Sequence, residues 1–419
     1  MRAFTKTTLG GIALVGSAAL VLTGCASPAP GGGGETSAPA EDLTFKIGTA
    51  LPVTGNLAFL GPPEIAGTEY AAAEVNEAGK GITIDLIQGD SGDTDNKAYE
   101  TEIPRLLGEG VTAIVGAASS GTSLQFIDQV VGADVIQFSP ANTSADFTTY
   151  DDNDLYFRTA PSDVLQGQVL GNLIAEDGHQ TLGMIVLNDS YGTGLAGFTK
   201  EAFEAAGGTV VAEPTYNTGD TNFSAQVSEV LAADPDAIAL ITFAEVSQIV
   251  PELVAAGYPA ENLYFVDGNL ANFGDEFPPG TLTNAKGTYP AVDPSSITDF
   301  SAALNEYYVG EGNPELTDFT YAPESYDAVI LLALAALKAG STEGPAVAAA
   351  LQEVSGGSGD GEKCFSFAEC ADIILGGGVA DYDGVSGPIT FDEVGDPTEA
   401  SIGIFQYGED NNYSFLRLG

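Results

Sequence analysis

The chain has 419 residues, 44% of them hydrophobic, which is enough for two domains with cores of their own. Its 59 Asp and Glu against 12 Lys and Arg give a net charge of −47, and so negative a surface repels nucleic acid and anionic headgroups, excluding both as partners. The acids are scattered rather than blocked, the pattern of solvated helix and loop faces, and solubility accounts for them.

The N-terminal stretch reads MRAFTKTTLGGIALVGSAALVLTGC. Arg2 and Lys6 precede an apolar run from Leu9 to Leu22, shorter than the roughly 20 residues a bilayer span needs. The pattern predicts an export signal over residues 1–24. It closes on Leu22-Thr23-Gly24-Cys25, which resembles the bacterial lipobox, where the cysteine is lipidated and becomes the mature N-terminus. Residues 25–42 are rich in Pro, Gly, Ala and Ser and hold nothing to seed a core, so a flexible tether is expected. Together these segments predict a globular body on the outer face of the membrane, held by a lipid anchor.

From there β-like and helix-like segments alternate. Strands are predicted at FKIGTA (45–50), ITIDLI (82–87), TAIVG (112–116), DVIQF (134–138), LGMIVL (182–187), TVVAE (209–213), AIALIT (237–242) and LYFVD (263–267). Each is a compact Val- and Ile-rich run, as suits strands covered on both faces. Helices are predicted over 63–79, 95–110, 163–178 and 194–208, with Pro104 an irregularity in the second. This βαβα rhythm predicts parallel sheets with helices on both faces. It runs twice, broken by the irregular stretch FTTYDDNDLYFRTAPSD, so two doubly wound lobes are expected with their strand-end loops around a shared cleft. Near the C-terminal end Cys364 and Cys370 bracket FSFAE. In an oxidising exterior they read as a small-loop disulfide; no metal site is expected, because the one histidine, His179, is far off in sequence.

The strand-end loops carry binding chemistry rather than catalysis. No G-x-x-x-x-G-K-[ST] follows any strand, no G-x-S-x-G elbow is present, and a Ser-His-Asp triad would hang on His179 alone, just past a predicted helix end. No cofactor is expected. AIVGAASSGTS (113–123) is a strand-to-helix loop whose backbone N–H groups and hydroxyls Ser119 and Ser120 suit an anion. SPANTS (139–144) adds Thr143, NDSYG (188–192) adds Tyr191, and Asp267 stands at the mouth of LYFVD. Donors on one lobe and an aspartate on the other suit a zwitterion. Ser, Asn and Asp also cap helices, and Glu245 reads as a solvated charge at a helix start.

In this order IGTALPVTGNLAFLG (47–61), GVTAIVGAASS (110–120), FSPANTSADFT (138–148), LYFRTAPSD (155–163), LNDSYGTGLAGF (187–198), YNTGDTNFSAQV (216–227), SYDAVILL (325–332) and YDGVSGPITFDEVGDP (382–397) resemble the solute-binding proteins of ABC importers, of the branched-chain amino-acid (Leu/Ile/Val) type. The resemblance covers nearly all of Leu43 to Gly419. It implies the type I periplasmic binding protein fold: α/β, two Rossmann-like lobes joined by three crossings, here near Phe157–Ser162, Gly287–Val292 and Tyr382–Pro388. The first lobe would comprise 43–158 plus 291–384 and the second 159–290 plus 385–419. It further implies that Ser119, Ser120, Ala141 and Thr143 hold an α-carboxylate, that Tyr191 packs on the ligand, and that Asp267 meets the ammonium. Phe59, Leu60 and Phe243 would shape the side-chain end, although Phe59 equally suits packing at a lobe edge. The implied partners are an amino acid and the membrane subunits of an ABC permease. A sensing protein of the same fold, or a binder of a short amide such as urea or of an aromatic carboxylate, fits the same residues.

Overall fold

The strands form where the apolar runs stand. In a computed structural model that describes residues 42–419, the first sheet comprises β1 (Leu43–Ala50), β2 (Ile82–Ile87), β3 (Ala113–Gly116), β4 (Ile136–Ser139) and β5 (Tyr156–Arg158). All are parallel, in the order β2-β1-β3-β4-β5. The expected export signal, Cys25 and the tether up to residue 41 lie outside the described residues.

The second sheet repeats this plan with β6 (Thr181–Leu187), β7 (Thr209–Ala212), β8 (Thr215–Tyr216), β9 (Ala237–Ile241), β10 (Leu263–Phe265) and β11 (Lys286–Pro290). Its parallel part runs β7-β6-β9-β10-β11, the same winding as the first sheet, with β8 pairing β6. A small sheet holds β12 (Glu362–Cys364), β13 (Ala380–Gly384) and β14 (Gly387–Pro388). β15 (Ile402–Tyr407) and β16 (Tyr413–Leu418) then add antiparallel to β11 at the edge of the second sheet.

Each sheet has its own core. Phe45, Ile47, Val115 and Phe138 pack in the first with the helix Ala322–Ala339, which is buried on all sides over most of its length because it lies between the sheet and further helices. Met184, Ile185, Leu240 and Phe265 centre the second. The fold is therefore α/β with two doubly wound lobes. Pro104 lies inside the helix Tyr99–Gly108. Cys364 and Cys370 are joined in a disulfide, their Cα atoms 5.3 Å apart, on the rim of the small sheet.

The chain changes sheets three times. It crosses between Arg158 and the helix starting at Asp163, and again between Pro290 and the helix starting at Thr298, which packs on the helix Gly61–Ala78 of the first lobe. The third crossing differs from the expected Tyr382–Pro388 and from a boundary at 384/385. Ile389 and Phe391 still belong to the first core, and the second sheet resumes only at Ile402. The reason is the β13–β14 hairpin, which Asp327 holds to the first lobe by accepting hydrogen bonds from the Tyr382 hydroxyl (2.6 Å) and the Ser386 N–H (2.7 Å). Fully buried Arg158 then ties two crossings together. It donates to both oxygens of Asp396 (2.6 and 2.8 Å) and to the Ser144 carbonyl (2.7 Å), a bidentate pair inside the protein.

Candidate ligand-binding cleft

In an open parallel sheet the crevice for a ligand lies beyond the carboxyl ends of the strands, where the winding reverses. That point falls between β1 and β3 in one lobe and between β6 and β9 in the other. The loops leaving these strands and the next face one another. Leu57 and Leu60 follow β1, Ser119 and Ser120 follow β3, Ala141 follows β4, Tyr191 follows β6, Phe243 follows β9 and Asp267 follows β10; all line one cavity. The turn out of β3 needs its glycine, because Gly116 has φ +123° and a Cβ there would lie 2.2 Å from the Ala50 carbonyl oxygen.

The first-lobe wall is made of donors and bears no charged side chain. Ser119 caps the helix Ser120–Val131, its hydroxyl accepting from the Thr122 N–H (3.2 Å) and its carbonyl from the Ser123 N–H (2.9 Å). The N–H groups of Ser120 and Gly121 are left without a partner among the described residues, pointing out of the helix start. The Ser120 hydroxyl accepts from the N–H groups of Thr143 (3.3 Å) and Ser144 (3.2 Å), which locks the two loops together. Since both hydroxyl oxygens act as acceptors, their own protons remain to be donated.

The opposite wall is acidic. Asp267 is 4% exposed, and its Oδ1 accepts from the Tyr191 hydroxyl (2.6 Å) and Gln166 Nε2 (3.1 Å) while Oδ2 accepts from the Tyr321 hydroxyl (2.8 Å). A carboxylate has about four acceptor sites, so Oδ2 keeps room for one more donor. Burial pushes this carboxyl above its usual range, and its three side-chain donors with the Gly268 N–H pull it back. Behind it Asp163 is fully buried; burial first and then the charge of Asp267 push its carboxyl well up, and the Thr143 hydroxyl pulls it partly back. Phe243 stacks on Tyr191 at 5.2 Å and closes the far side.

The lobes are shut on each other. Asn56 Nδ2 of the first lobe donates to Glu245 Oε1 of the second (3.1 Å), the Ala244 N–H donates to the Asn56 carbonyl (3.3 Å), and the Ser144 hydroxyl donates to the Ser190 carbonyl (3.2 Å). The space left between them is about 10 Å³, roughly one water, so any larger solute enters only when the lobes part. Chemically, such a pair of walls receives a small solute with an anionic end and a cationic end.

Residues 44–369 match the sequence profile described as periplasmic binding protein, more than three quarters of the chain. The chain belongs to the periplasmic binding protein family. It is a binding protein and not an enzyme. It is 27% identical over 383 residues to the Leu/Ile/Val-binding protein homolog 2 of Brucella abortus, covering 88% of this chain and 93% of that one. The fold is that of the leucine binding protein LivK from Thermotoga maritima (TM-score 0.72, 21% identity, 89% of this chain and 98% of that one). It is likewise that of LivJ from Streptococcus pneumoniae, solved in complex with isoleucine (TM-score 0.69, 23% identity, 90% and 98%).

Of the residues expected at the site, Ser119, Ser120, Ala141, Tyr191, Asp267, Leu60 and Phe243 stand around the cavity of this binding protein. Phe59 does not: it is half-buried and packs against the second core, while its neighbour Leu57 turns inward. Thr143 stands one layer back, its N–H on Ser120 and its hydroxyl towards Asp163. Glu245 is not a solvated charge. It is buried and accepts from Asn56, from the Tyr216 hydroxyl (3.1 Å) and from the Phe243 N–H (3.1 Å), because closure of the cleft covers it. Tyr321, Gln166 and Asp163 were not foreseen. Tyr321 comes from a loop far along the chain in a left-handed conformation (φ 61°), and nothing in its local sequence announces a hand on Asp267. Asp163 and Gln166 lie on a helix whose sequence reads as ordinary amphipathic surface.

Proposed function

We propose that this binding protein captures an amino acid with an aliphatic side chain, of the branched-chain kind or a close relative, and hands it to the membrane subunits of an ABC importer. The observation that carries this reading is the asymmetry of the cleft. The α-carboxylate meets the N–H groups of Ser120 and Gly121 with the hydroxyls of Ser119 and Ser120; the α-ammonium meets the open position on Asp267. An ammonium there also relieves the mutual repulsion of Asp267 and Asp163. The rest of the lining, Leu57, Leu60, Ala118, Ala141 and Phe243, is apolar and suits an aliphatic side chain. The names of its relatives point the same way. The predicted lipidation of Cys25 places the protein on the outer face of the cell membrane, with the tether giving it reach to a permease.

Calorimetry with leucine, isocaproate (leucine without its ammonium) and isoamylamine (leucine without its carboxylate) tests the assignment. Leucine binds, and each truncated analogue loses at least about a hundredfold, since each leaves one buried wall unpaired. Isocaproate binding as tightly as leucine overturns the ammonium position, and benzoate or urea binding in preference to every amino acid overturns the ligand class. For the anchor, labelled palmitate should enter the wild-type protein and be absent from Cys25→Ala.

A further inference from the structure

A second and larger cavity, about 280 Å³, lies on the hinge side of the molecule, outside the cleft. Its walls come from the second crossing at Tyr289–Val292, from β15 and β16, and from the start of the helix Ala322–Ala339. Tyr289 stacks on Phe405 with ring centroids 4.4 Å apart and interplanar angle 6°, and Phe415 sits 5.7 Å from Phe405. Tyr321 stands between the two sites, its ring on this cavity and its hydroxyl on Asp267.

Among the described residues two carboxylates line this aromatic pocket, and no Lys, Arg or His does. Asp318 is satisfied, accepting from the Thr320 hydroxyl (2.6 Å), the Thr320 N–H (2.9 Å) and the Tyr413 hydroxyl (3.0 Å). Glu324 is not. It is 6% exposed, and apart from its own backbone N–H no described residue donates to its carboxylate. A buried carboxylate with so little support is costly, and the position at a helix start offsets only part of that. Burial first, then Asp327 on the same helix, raises Glu324 to about 8. Among the described residues the other groups around it bring no cation: Glu64, on the facing helix Gly61–Ala78, is buried with both oxygens unpartnered and is itself pushed up by burial and by Glu324, and burial also pushes the Tyr289 hydroxyl up.

We propose that the hinge cavity binds a small organic cation, an amine or quaternary ammonium, with its charge against Glu324 and its apolar part against the rings of Tyr289, Phe405 and Phe415. Aromatic faces attract such cations, most strongly when both are shielded from water, and 280 Å³ holds a molecule of that size. The absence of a cationic side chain from the walls disfavours a carboxylate or a zwitterion there. This site stands apart from the cleft reading.

Choline is the probe, because its charge does not titrate, and its uncharged isostere dimethylbutanol is the control. Calorimetry on the full protein should show choline binding at least tenfold tighter than the alcohol. Choline affinity should also rise about tenfold from pH 7 to pH 9 as Glu324, near 8, ionises. Glu324→Gln should bring choline down to the level of the alcohol and abolish the pH dependence, with its melting temperature no lower than wild type. Asp267→Asn, which cripples the cleft, should leave choline binding unchanged, so the two sites fail separately. Equal affinity for choline and the alcohol, a flat pH profile in the unmutated protein, or competition by leucine overturns the proposal.

Discussion

The two walls of the cleft solve the same problem in opposite ways. The first-lobe wall offers an anion only dipoles and hydroxyl protons: a helix start capped by Ser119, and Ser120 cross-tied to the Thr143 loop. The second-lobe wall offers a full charge, Asp267, clamped by two tyrosines and a glutamine. The difference lies in the cost of each wall when nothing faces it. Dipoles are locked by the backbone and need little support, whereas a buried carboxylate must be surrounded by donors to exist at all. The acidic wall should therefore respond to mutation mainly in binding, and the dipolar wall in binding and folding together.

The largest effect expected is at Asp267. Asp267→Asn should cost the zwitterion about 2–5 kcal/mol, thirtyfold or more in Kd by calorimetry. Melting should not fall, because burial already pushes this carboxyl up and a neutral side chain escapes the cost of burying a charge. A loss of both would erase the contrast between the walls. Next is Gly121, where an added Cβ would lie 2.7 Å from Asp189 Oδ2 across the closed cleft. Gly121→Ala is the exception on the dipolar wall, because it obstructs closure without removing a hydrogen bond: it should weaken binding by about 2 kcal/mol while leaving the ligand-free melting temperature unchanged. Ser120→Ala strips the acceptor from two buried N–H groups, so about 1–2 kcal/mol should be lost in stability as well as in affinity, seen by urea titration beside calorimetry. Asn56→Ala removes the link to Glu245 and should raise the rate of ligand release severalfold in stopped flow, worth about 1 kcal/mol.

The smallest expected effect is a pH trend. Asp189 caps the helix Ser190–Ala205 and faces the other lobe, and burial raises it to about 6. The folded, closed state thus holds a proton that the unfolded chain, with an aspartate near its usual value of about 3.9, has given up. Stability from this group is fully present below about pH 4, declines as pH rises towards 6, and is flat above. Asp189→Asn should remove that decline in a melting series from pH 4 to pH 7, since asparagine caps a helix as well.

Much of this arrangement was legible in the residues. The eight apolar runs became strands: the central ones are covered on both faces and so continuously apolar, while the edge strands β2 and β7 alternate between exposed residues and buried or half-buried ones. Eight strands escaped, β5 and β11 of the parallel sheets among them. β5 is three residues long, and β11 carries Lys286 and a proline at its end, so neither shows an apolar run. The third crossing was misplaced because YDGVSGP reads as a turn out of the lobe, and only the grip of Asp327 on that hairpin keeps it in. Phe59 and Leu57 exchange roles for a similar reason, since which side of a short irregular loop faces inward is set by what packs on it.

What the sequence determined by itself was local: the βαβ rhythm, the small hydroxylated turn after β3 and the aspartate at the mouth of β10. Each follows from a period, a backbone requirement or a short motif, and so lies within a few residues of its cause. The tertiary structure alone decided the company each residue keeps. It brought Tyr321 onto Asp267 across 54 positions and Glu245 onto Asn56 across 189, and it set Glu324 in an aromatic pocket with no cation beside it among the described residues. Contacts of that kind depend on how two separately wound lobes close on one another, and no local pattern encodes them.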